Sequence, residues 1–214
     1  MKTALIAGAS GLIGKELVQK LISSDDYRLV YSLVRKKSGV VHAKIREMII
    51  DFDKIGEIIF DETIDDVFCT LGTTMKQAGS RENFKKVDYE YVIALANRGK
   101  QSGASKFLVI SAMGADPKSS VFYSQVKGMT EEVLKHTGFK QLVIFRPSLL
   151  LGKRDKARFA ERLSGFFMKA FNLIIPDNYK AIEAEKVAES MLKMAIRSTE
   201  EVLIVKSGEM LRGK

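Results

Sequence analysis

The chain has 214 residues, of which 46% are hydrophobic and 29% are charged. These proportions are typical of a soluble globular protein with a large core, and they argue against a disordered, fibrous or coiled-coil protein. The net charge of +9 favours anionic ligands such as phosphates, although an ordinary solvated basic surface has the same composition.

Several function classes lose support from the sequence alone. The N-terminal residues lack the apolar stretch of a signal peptide, and no run approaches the roughly eighteen apolar residues that span a bilayer. We therefore expect a cytoplasmic protein. Cys69 is the one cysteine and is expected to be a small buried hydrophobe, while His42 and His136 are expected at the surface without a metal site. No nucleic-acid partner is expected, because the chain has no tryptophan and no recognisable helix-turn-helix pattern.

Short apolar runs alternate with longer helical patterns along the chain. The runs predicted as buried parallel strands are residues 4–7, 29–34, 48–50, 67–70, 107–111, 142–145 and 202–205. The segments predicted as helices are residues 12–23, 81–101, 121–136 and 183–196. This alternation predicts an α/β protein with a Rossmann-type doubly wound parallel sheet of about seven strands and helices on both faces. We expect one domain over 1–214, with 147–181 as an irregular insert over the carboxyl edge of the sheet.

The strongest local signal is the sequence GASGLIG, which follows the first strand and opens the first helix. Glycine permits a tight turn and lets backbone N–H groups approach a phosphate, while the helix N-terminus supplies partial positive charge. A tight turn alone could also require these glycines. The strand-turn-helix context nevertheless predicts a dinucleotide site formed by Gly8, Ser10, Gly11, Leu12, Ile13 and Gly14.

The residues that follow the second strand indicate which cofactor is preferred. NAD-binding sites place an acid there for the ribose 2′-hydroxyl, whereas this chain has Arg35 and Lys36. Because a guanidinium pairs with a 2′-phosphate, we expect NADP(H) rather than NAD(H), with a charged surface loop as the alternative. Asp51 and Phe52, just past the third strand, are expected to flank the adenine.

Tyr123 and Lys127 stand four positions apart in the predicted helix 121–136 and therefore share a face. A fixed cation favours the ionised form of a nearby phenol, so a tyrosine in this position can exchange a proton with a carbonyl or alcohol oxygen. Ser111, at the carboxyl end of the fifth strand, could hold that same oxygen. The Tyr-x-x-x-Lys spacing also occurs in surface helices, and its combination with the glycine turn is what makes it informative.

Five stretches occur in an order found in one known superfamily. They are GASGLIG from Gly8, CTLGTT from Cys69, VISAMGAD from Val109, YSQVKG from Tyr123 and FRPSLLLG from Phe145. Together they cover about residues 3–152, and residues 181–195 add a late strand-helix step. The chain resembles the short-chain dehydrogenase/reductase superfamily in its atypical, epimerase-like branch, nearest the Tat-interacting-protein type of oxidoreductases and their bacterial relatives.

The resemblance implies roles for particular residues. The catalytic set that it implies is Ser111, Tyr123 and Lys127, and Lys127 would also bind the nicotinamide ribose. The backbone that it implies along the cofactor lies around Leu71, Gly72 and Thr73 and around Pro147 and Leu149. Asp88 stands near the place where members of the superfamily often have a supporting Asn.

The expected activity is hydride transfer to or from a small carbonyl or alcohol, or a nucleotide-sugar, coupled to proton transfer through Tyr123. Epimerisation by transient oxidation would use the same residues. The alternative, from another class, is a catalytically silent NADP(H)-binding sensor or scaffold that regulates a protein partner. The intact pair of Tyr123 and Lys127 favours the enzyme, whereas the short C-terminal portion offers little material for a substrate pocket and favours the alternative.

Residues 158–175 form an amphipathic pattern. The apolar side chains on its helical stripe are Phe159, Leu163, Phe166, Phe167, Phe171 and Ile174, and the basic ones off it are Arg158, Arg162 and Lys169. Such a segment can pack on the sheet as a lid, form the contact of a homodimer, or lie on a membrane surface. The sequence leaves these three alternatives open.

Overall fold

The structure, a computed structural model, describes residues 1–151 and 176–213. Its strands are β1 (Lys2–Ala7), β2 (Tyr27–Val34), β3 (Ile45–Ile49), β4 (Asp66–Cys69), β5 (Lys106–Ile110), β6 (Gln141–Arg146), β7 (Leu150–Leu151), β8 (Ile182–Glu183) and β9 (Val202–Lys206). Its α-helices are α1 (Leu12–Ser23), α2 (Met75–Ala78), α3 (Arg81–Lys85), α4 (Tyr91–Gln101), α5 (Phe122–Lys135), α6 (Ala184–Arg197) and α7 (Ser207–Leu211). A π-helical turn (Lys86–Glu90) joins α3 to α4, and 3-10 turns occur at Phe52–Glu57 and Asp177–Tyr179.

Seven of the described strands form one sheet in the order β3-β2-β1-β4-β5-β6-β9, and every neighbouring pair is parallel. The chain begins in the middle of the sheet, moves outward to β3, and then crosses back to β4 on the other side of β1. Ligands of open α/β sheets bind at the carboxyl ends of the strands, beside the point where the strand order reverses. The predicted Rossmann-type sheet is confirmed, and its reversal lies between β1 and β4.

Apolar layers cover both faces of the sheet. On one face, α1 and α6 pack together through residues that include Leu17, Leu21, Val187 and Met191. The other face carries α4 and α5, whose buried side chains include Leu95 and Leu134. Because both faces are covered, the central strands are unbroken apolar runs, which is why the sequence revealed them.

Some elements differ from the predictions. The third strand was predicted over residues 48–50 but runs from Ile45 to Ile49. Its first residues pair with β2 at the edge of the sheet and include polar side chains, so no apolar run marked them in the sequence. The helix predicted over 81–101 is interrupted by the π-helical turn. The short strands β7 and β8, which were not predicted, pair Leu150 with Ile182 at the base of the segment 147–181.

Other predictions concern residues beyond those that the structure describes. The amphipathic stretch 158–175 lies outside the described residues, and the single domain over 1–214 stays a prediction. None of the helices in the two described ranges is both long and apolar enough to cross a membrane.

Helix α5 packs so closely against the loop after β5 that adding a methyl group at Gly128 is predicted to destabilise the protein. A Cβ at Gly128 would lie 2.2 Å from the backbone of Asp116 and Pro117, so Gly128→Ala must displace that loop. We expect this variant to lose about 1–3 kcal/mol in free energy of unfolding, measured by urea denaturation. Gly56→Ala is the matched control, because a Cβ there meets no described atom within 4 Å. Equal losses in the two variants would contradict the packing argument.

Candidate active site

The turn between β1 and α1 packs so tightly against its surroundings that glycine is required at Gly8 in the turn and at Gly14 in the first turn of α1. Gly8 has a φ angle of +92°, and its carbonyl accepts the N–H of Gly11 at 2.9 Å. A Cβ at Gly8 would lie 2.5 Å from the carbonyl group of Thr70, and a Cβ at Gly14 would lie 2.1 Å from the Gly8 oxygen. The turn therefore holds the end of β1 directly against the residue that follows β4.

The N-terminus of α1 opens from this turn toward the carboxyl edge of the sheet. Its N-cap residue, Gly11, makes no side-chain capping bond, and the first helical turn contains no acidic residue. Ser10 and Leu12 are exposed, whereas Ile13 and Gly14 are buried. Backbone N–H groups at such a helix end, together with the helix dipole, are suited to binding a phosphate.

The basic and acidic residues predicted at the adenosine end lie on successive strand ends. Arg35 and Lys36 follow β2 directly and are exposed. Asp51 is exposed too, and its carboxylate caps the 3-10 turn that begins at the next residue. Phe52 lies just past β3, as predicted; it is buried, and its ring packs on Tyr91 with the centroids 5.6 Å apart. The ring of Phe52 therefore belongs to the core, and its place beside an adenine stays a prediction.

A cavity of about 400 Å³ lies beside the glycine turn, between α1 and the loop that joins β2 to β3. Its polar lining includes Ser10, Lys15, Ser32, Ser38 and Glu47. The connection from β2 to β3 contains no helix, so this part of the sheet face stays uncovered. The cavity was not predicted from the sequence, because the absence of a helix leaves no sequence motif.

The loops after β4 and β6 supply the residues expected along the rest of the cofactor. In the first loop, Leu71 and Thr73 are half-buried and Gly72 is exposed. In the second, Pro147 is buried and Leu149 is exposed. Since β4 and β6 are both parallel to β5, these residues lie at the same edge of the sheet as the glycine turn.

A buried ion pair lies next to the loop after β4. The Lys127 ammonium is 2.8 Å from Asp88 Oδ1, and the two side chains are 6% and 1% exposed. The contact is an ion pair between two buried groups of opposite charge. Burial opposes the charge of Lys127, but the Asp88 carboxylate outweighs it, and the pKa of the lysine lies above its ordinary value.

Asp88 reaches this position because it lies in the π-helical turn (Lys86–Glu90). A π-helical turn contains an extra residue and therefore changes the direction in which the following side chains point. The Thr130 hydroxyl on α5 donates to the backbone carbonyl of Asp88 at 3.0 Å, which ties the turn to the helix that carries Lys127. In the sequence, Asp88 stands near the place where members of the superfamily often have a supporting Asn, and no sequence pattern signals its contact with Lys127.

Tyr123 lies in the first turn of α5, above Lys127. Its side chain is 36% exposed, and its ring packs against Phe84 with the centroids 5.5 Å apart. Tyr123 and Lys127 are close enough to interact electrostatically. The structure thus brings this pair together as predicted, with the phenol accessible and the ammonium buried.

Ser111 stands at the end of β5, as predicted, but its hydroxyl already has a partner. It is buried and donates to Glu131 Oε1. Glu131 also accepts from Arg146 Nε at 3.0 Å and forms an ion pair with the same guanidinium. The hydroxyl hydrogen of Ser111 is therefore committed to a buried carboxylate, and a bond to a substrate oxygen would have to replace it.

Sequence comparison places this geometry in a known family. A family model described as NAD(P)H-binding matches residues 8–195. The chain belongs to this NAD(P)H-binding family. It is 33% identical to Protein HTATIP2 of Rattus norvegicus over 198 residues, which are 89% of this chain and 80% of that protein. It is also 29% identical to Protein FMP52, mitochondrial, of Debaryomyces hansenii over 219 residues, which are 98% and 93% of the two chains.

A solved structure agrees with the fold. The crystal structure of an oxidoreductase of the short-chain dehydrogenase/reductase family from Burkholderia thailandensis superposes with a TM-score of 0.73 at 16% identity. The match covers 100% of this chain and 94% of that one. The resemblance predicted from the five sequence stretches is confirmed.

The expectation of a cytoplasmic protein is wrong. The FMP52 relatives of Debaryomyces hansenii and Candida albicans are named mitochondrial, which conflicts with a purely cytoplasmic location. The expectation rested on the lack of a signal-peptide stretch and of a membrane-spanning apolar run, and neither feature separates the cytoplasm from the mitochondrion.

The environment of Cys69 predicts a thiol that does not react at neutral pH. Burial raises the pKa of Cys69 to about 12, and the thiolate is the reactive form. At pH 8 we expect a thiol reagent to label folded protein at least about a thousandfold more slowly than urea-unfolded protein. Labelling should accelerate as the pH rises. The matched control is the double variant Cys69→Ala, Ser120→Cys, in which the single thiol is exposed and should react at once. Fast labelling of Cys69 in the folded chain would contradict the prediction.

Proposed function

We propose that the chain is an NADP(H)-dependent oxidoreductase of the short-chain dehydrogenase/reductase type. It would transfer hydride to or from a small carbonyl or alcohol, or a nucleotide-sugar, with Tyr123 as the acid/base. One observation carries the proposal. An accessible Tyr123 phenol and a buried Lys127 ammonium lie at the same edge of the sheet as the glycine turn, from which the uncapped N-terminus of α1 opens.

The residues present fit a dinucleotide. Glycines at 8 and 14 let the turn pack against its neighbouring backbone where a Cβ would clash, and the uncapped N-terminus of α1 offers N–H groups for a pyrophosphate. Arg35 and Lys36 follow β2, where the adenosine ribose lies in this fold, and their positive charge suits a 2′-phosphate. When bound, the nicotinamide would supply or accept the hydride.

The proton would move through Tyr123. In the reducing direction the phenol donates its proton to the carbonyl oxygen of the substrate, and in the oxidising direction the phenolate takes the proton of the alcohol. The ammonium of Lys127 stabilises the negative charge on the phenolic oxygen. The packing of the Tyr123 ring on Phe84 holds the hydroxyl in place while it remains open to the edge of the sheet.

A second candidate function is a catalytically silent NADP(H)-binding sensor that regulates a protein partner. The bond from the Ser111 hydroxyl to Glu131 favours this candidate, because Ser111 then donates nothing to a substrate oxygen. A site of this kind would bind the cofactor in the same way and yet hold a substrate oxygen less firmly. The role of Ser111 in binding substrate stays a prediction.

The proposed acid/base role predicts the behaviour of Tyr123→Phe. This variant loses the hydroxyl and keeps the ring that packs on Phe84. We expect NADPH consumption across a panel of aldehydes and ketones to fall about 10²–10⁴-fold, while NADPH binding, followed by fluorescence titration, is retained.

The matched control is Tyr89→Phe, which removes a phenol from the π-helical turn where the ring faces Lys85; it should turn over like the wild type. Equal rates for Tyr123→Phe and the wild type would remove Tyr123 from the mechanism. A wild type that binds NADPH and reduces nothing in the panel would favour the sensor.

The cofactor preference is tested with Arg35→Asp. A hydrogen bond to a charged group contributes about 1.5–3 kcal/mol, so we expect NADPH affinity to fall about tenfold to a hundredfold relative to NADH affinity. Isothermal titration with both cofactors measures the ratio. Lys140→Asp makes the same charge change next to the amino end of β6 and should leave the ratio unchanged. An unchanged ratio in Arg35→Asp would refute the 2′-phosphate role.

A further inference from the structure

A buried carboxylate that the proposed proton transfer does not use lies beside Lys127. We propose that Asp88 is a positioning residue that keeps the Lys127 ammonium charged and fixes it against the loop after β4. The proposal rests on the function proposed above for Lys127. It concerns a residue that the proton transfer itself does not involve.

Three contacts from different elements fix Asp88. Its Oδ2 atom accepts the backbone N–H of Thr73 at 2.8 Å, and its backbone carbonyl accepts the Thr130 hydroxyl at 3.0 Å. Its Oδ1 atom faces the Lys127 ammonium at 2.8 Å. The residue therefore joins the loop after β4, the π-helical turn and α5 at one point.

The same contacts place the ammonium under the backbone of the loop after β4. Beside this loop, at the end of β5, the carbonyl oxygen of Ile110 accepts a hydrogen bond from Lys127 Nζ at 3.5 Å. A Cβ built at Gly72 would lie 3.9 Å from Lys127 Nζ and 3.5 Å from Asp88 Oδ1. The charge of Lys127 is thus held within reach of the loop that is expected to line the cofactor.

The other titratable groups that face Lys127 do not balance its charge. Tyr123, one turn away on α5, is neutral in its proton-donating form, and the thiol of Cys69 at the end of β4 has a pKa of about 12. Glu131 lies across a void of about 10 Å³ and is paired with Arg146. Among the described residues, Asp88 is the anion left to balance Lys127.

The backbone bond alone does not account for a carboxylate at this position. An amide oxygen could accept the N–H of Thr73 equally well. A buried carboxylate is costly unless it is paired, and a buried lysine without a counter-ion tends to lose its proton. Each of Asp88 and Lys127 therefore maintains the charge of the other.

The test follows the protonation of Lys127 directly in cofactor-free protein. The protein is labelled with ¹³C,¹⁵N-lysine, the Lys127 signal is identified by its loss in Lys127→Arg, and side-chain shifts are recorded by NMR against pH. In the wild type, Lys127 should keep its proton to a higher pH than the exposed lysines. In Asp88→Asn, the ratio of ammonium to amine at a fixed alkaline pH should fall at least about tenfold.

The matched control is Asp53→Asn. It removes the same charge from an exposed ion pair, in which Asp53 lies 2.7 Å from Lys86, and should leave the Lys127 titration unchanged. An unchanged titration in folded Asp88→Asn would overturn the proposal. If Asp88→Asn does not fold, the titration of the wild type still tests the proposal. A wild-type Lys127 that loses its proton at a lower pH than the exposed lysines would overturn it.

The two proposals fail separately, because this titration needs no turnover. Absence of reductase activity would count against the proposed function and leave the role of Asp88 standing. Where activity is found, Asp88→Asn should lose it selectively as the pH rises, since Lys127 would then become neutral at a lower pH. A uniform loss at every pH would mean that Asp88 serves only the fold.

Discussion

The site depends on a close approach of two backbones: the turn at Gly8 touches the backbone of Thr70, with no space for a Cβ between them. This contact sets the end of β1 against the loop after β4 at the point where the strand order reverses. Three residues further along that loop, the N–H of Thr73 bonds to Asp88, which in turn holds Lys127. The glycine turn and the buried Lys127 are therefore connected through one short segment of backbone.

Two buried carboxylates divide the remaining polar groups of the site between them. Glu131 forms an ion pair with Arg146 and accepts a hydrogen bond from the Ser111 hydroxyl. The other carboxylate, Asp88, balances Lys127. Buried charges persist in proteins when they are paired and hydrogen-bonded, and both carboxylates meet that condition. The consequence is an asymmetry between the two hydroxyls that were expected to share a substrate oxygen: the one on Ser111 is bonded inward, and only the phenol stays accessible.

The sheet was predictable because its central strands are covered on both faces and are therefore continuous apolar runs. The glycine turn was predictable because the backbone geometry admits few other residues. The interruption of the helix over 81–101 was not. An apolar period of 3.6 residues predicts one continuous face, whereas the π-helical turn makes Phe84, Asp88 and Val92 the buried positions. Sequence patterns do not predict that Asp88 is buried, because its burial depends on an ion pair with a lysine 39 positions away. The partner of Ser111 was hidden for the same reason, because it lies 20 residues along the chain.

The ion pair of Asp88 and Lys127 also distinguishes the two candidate functions. A protein that only binds a dinucleotide needs the glycine turn and basic residues near the adenosine, and none of these requires a charged pair in the interior. Replacing a buried ion pair by well-packed apolar residues is often neutral or stabilising, so stability does not explain why this chain has one at 6% and 1% exposure. A fixed positive charge one helical turn from an accessible phenol does have an explanation under the proposed function, because it would stabilise the phenolate formed in the proposed proton transfer. The hydrogen bond from Ser111 to Glu131 favours a silent sensor. The Ser111 hydroxyl can, however, exchange this hydrogen bond for one to a substrate. A silent sensor, in contrast, would not require the buried charge of Lys127. The balance of these two observations favours the oxidoreductase.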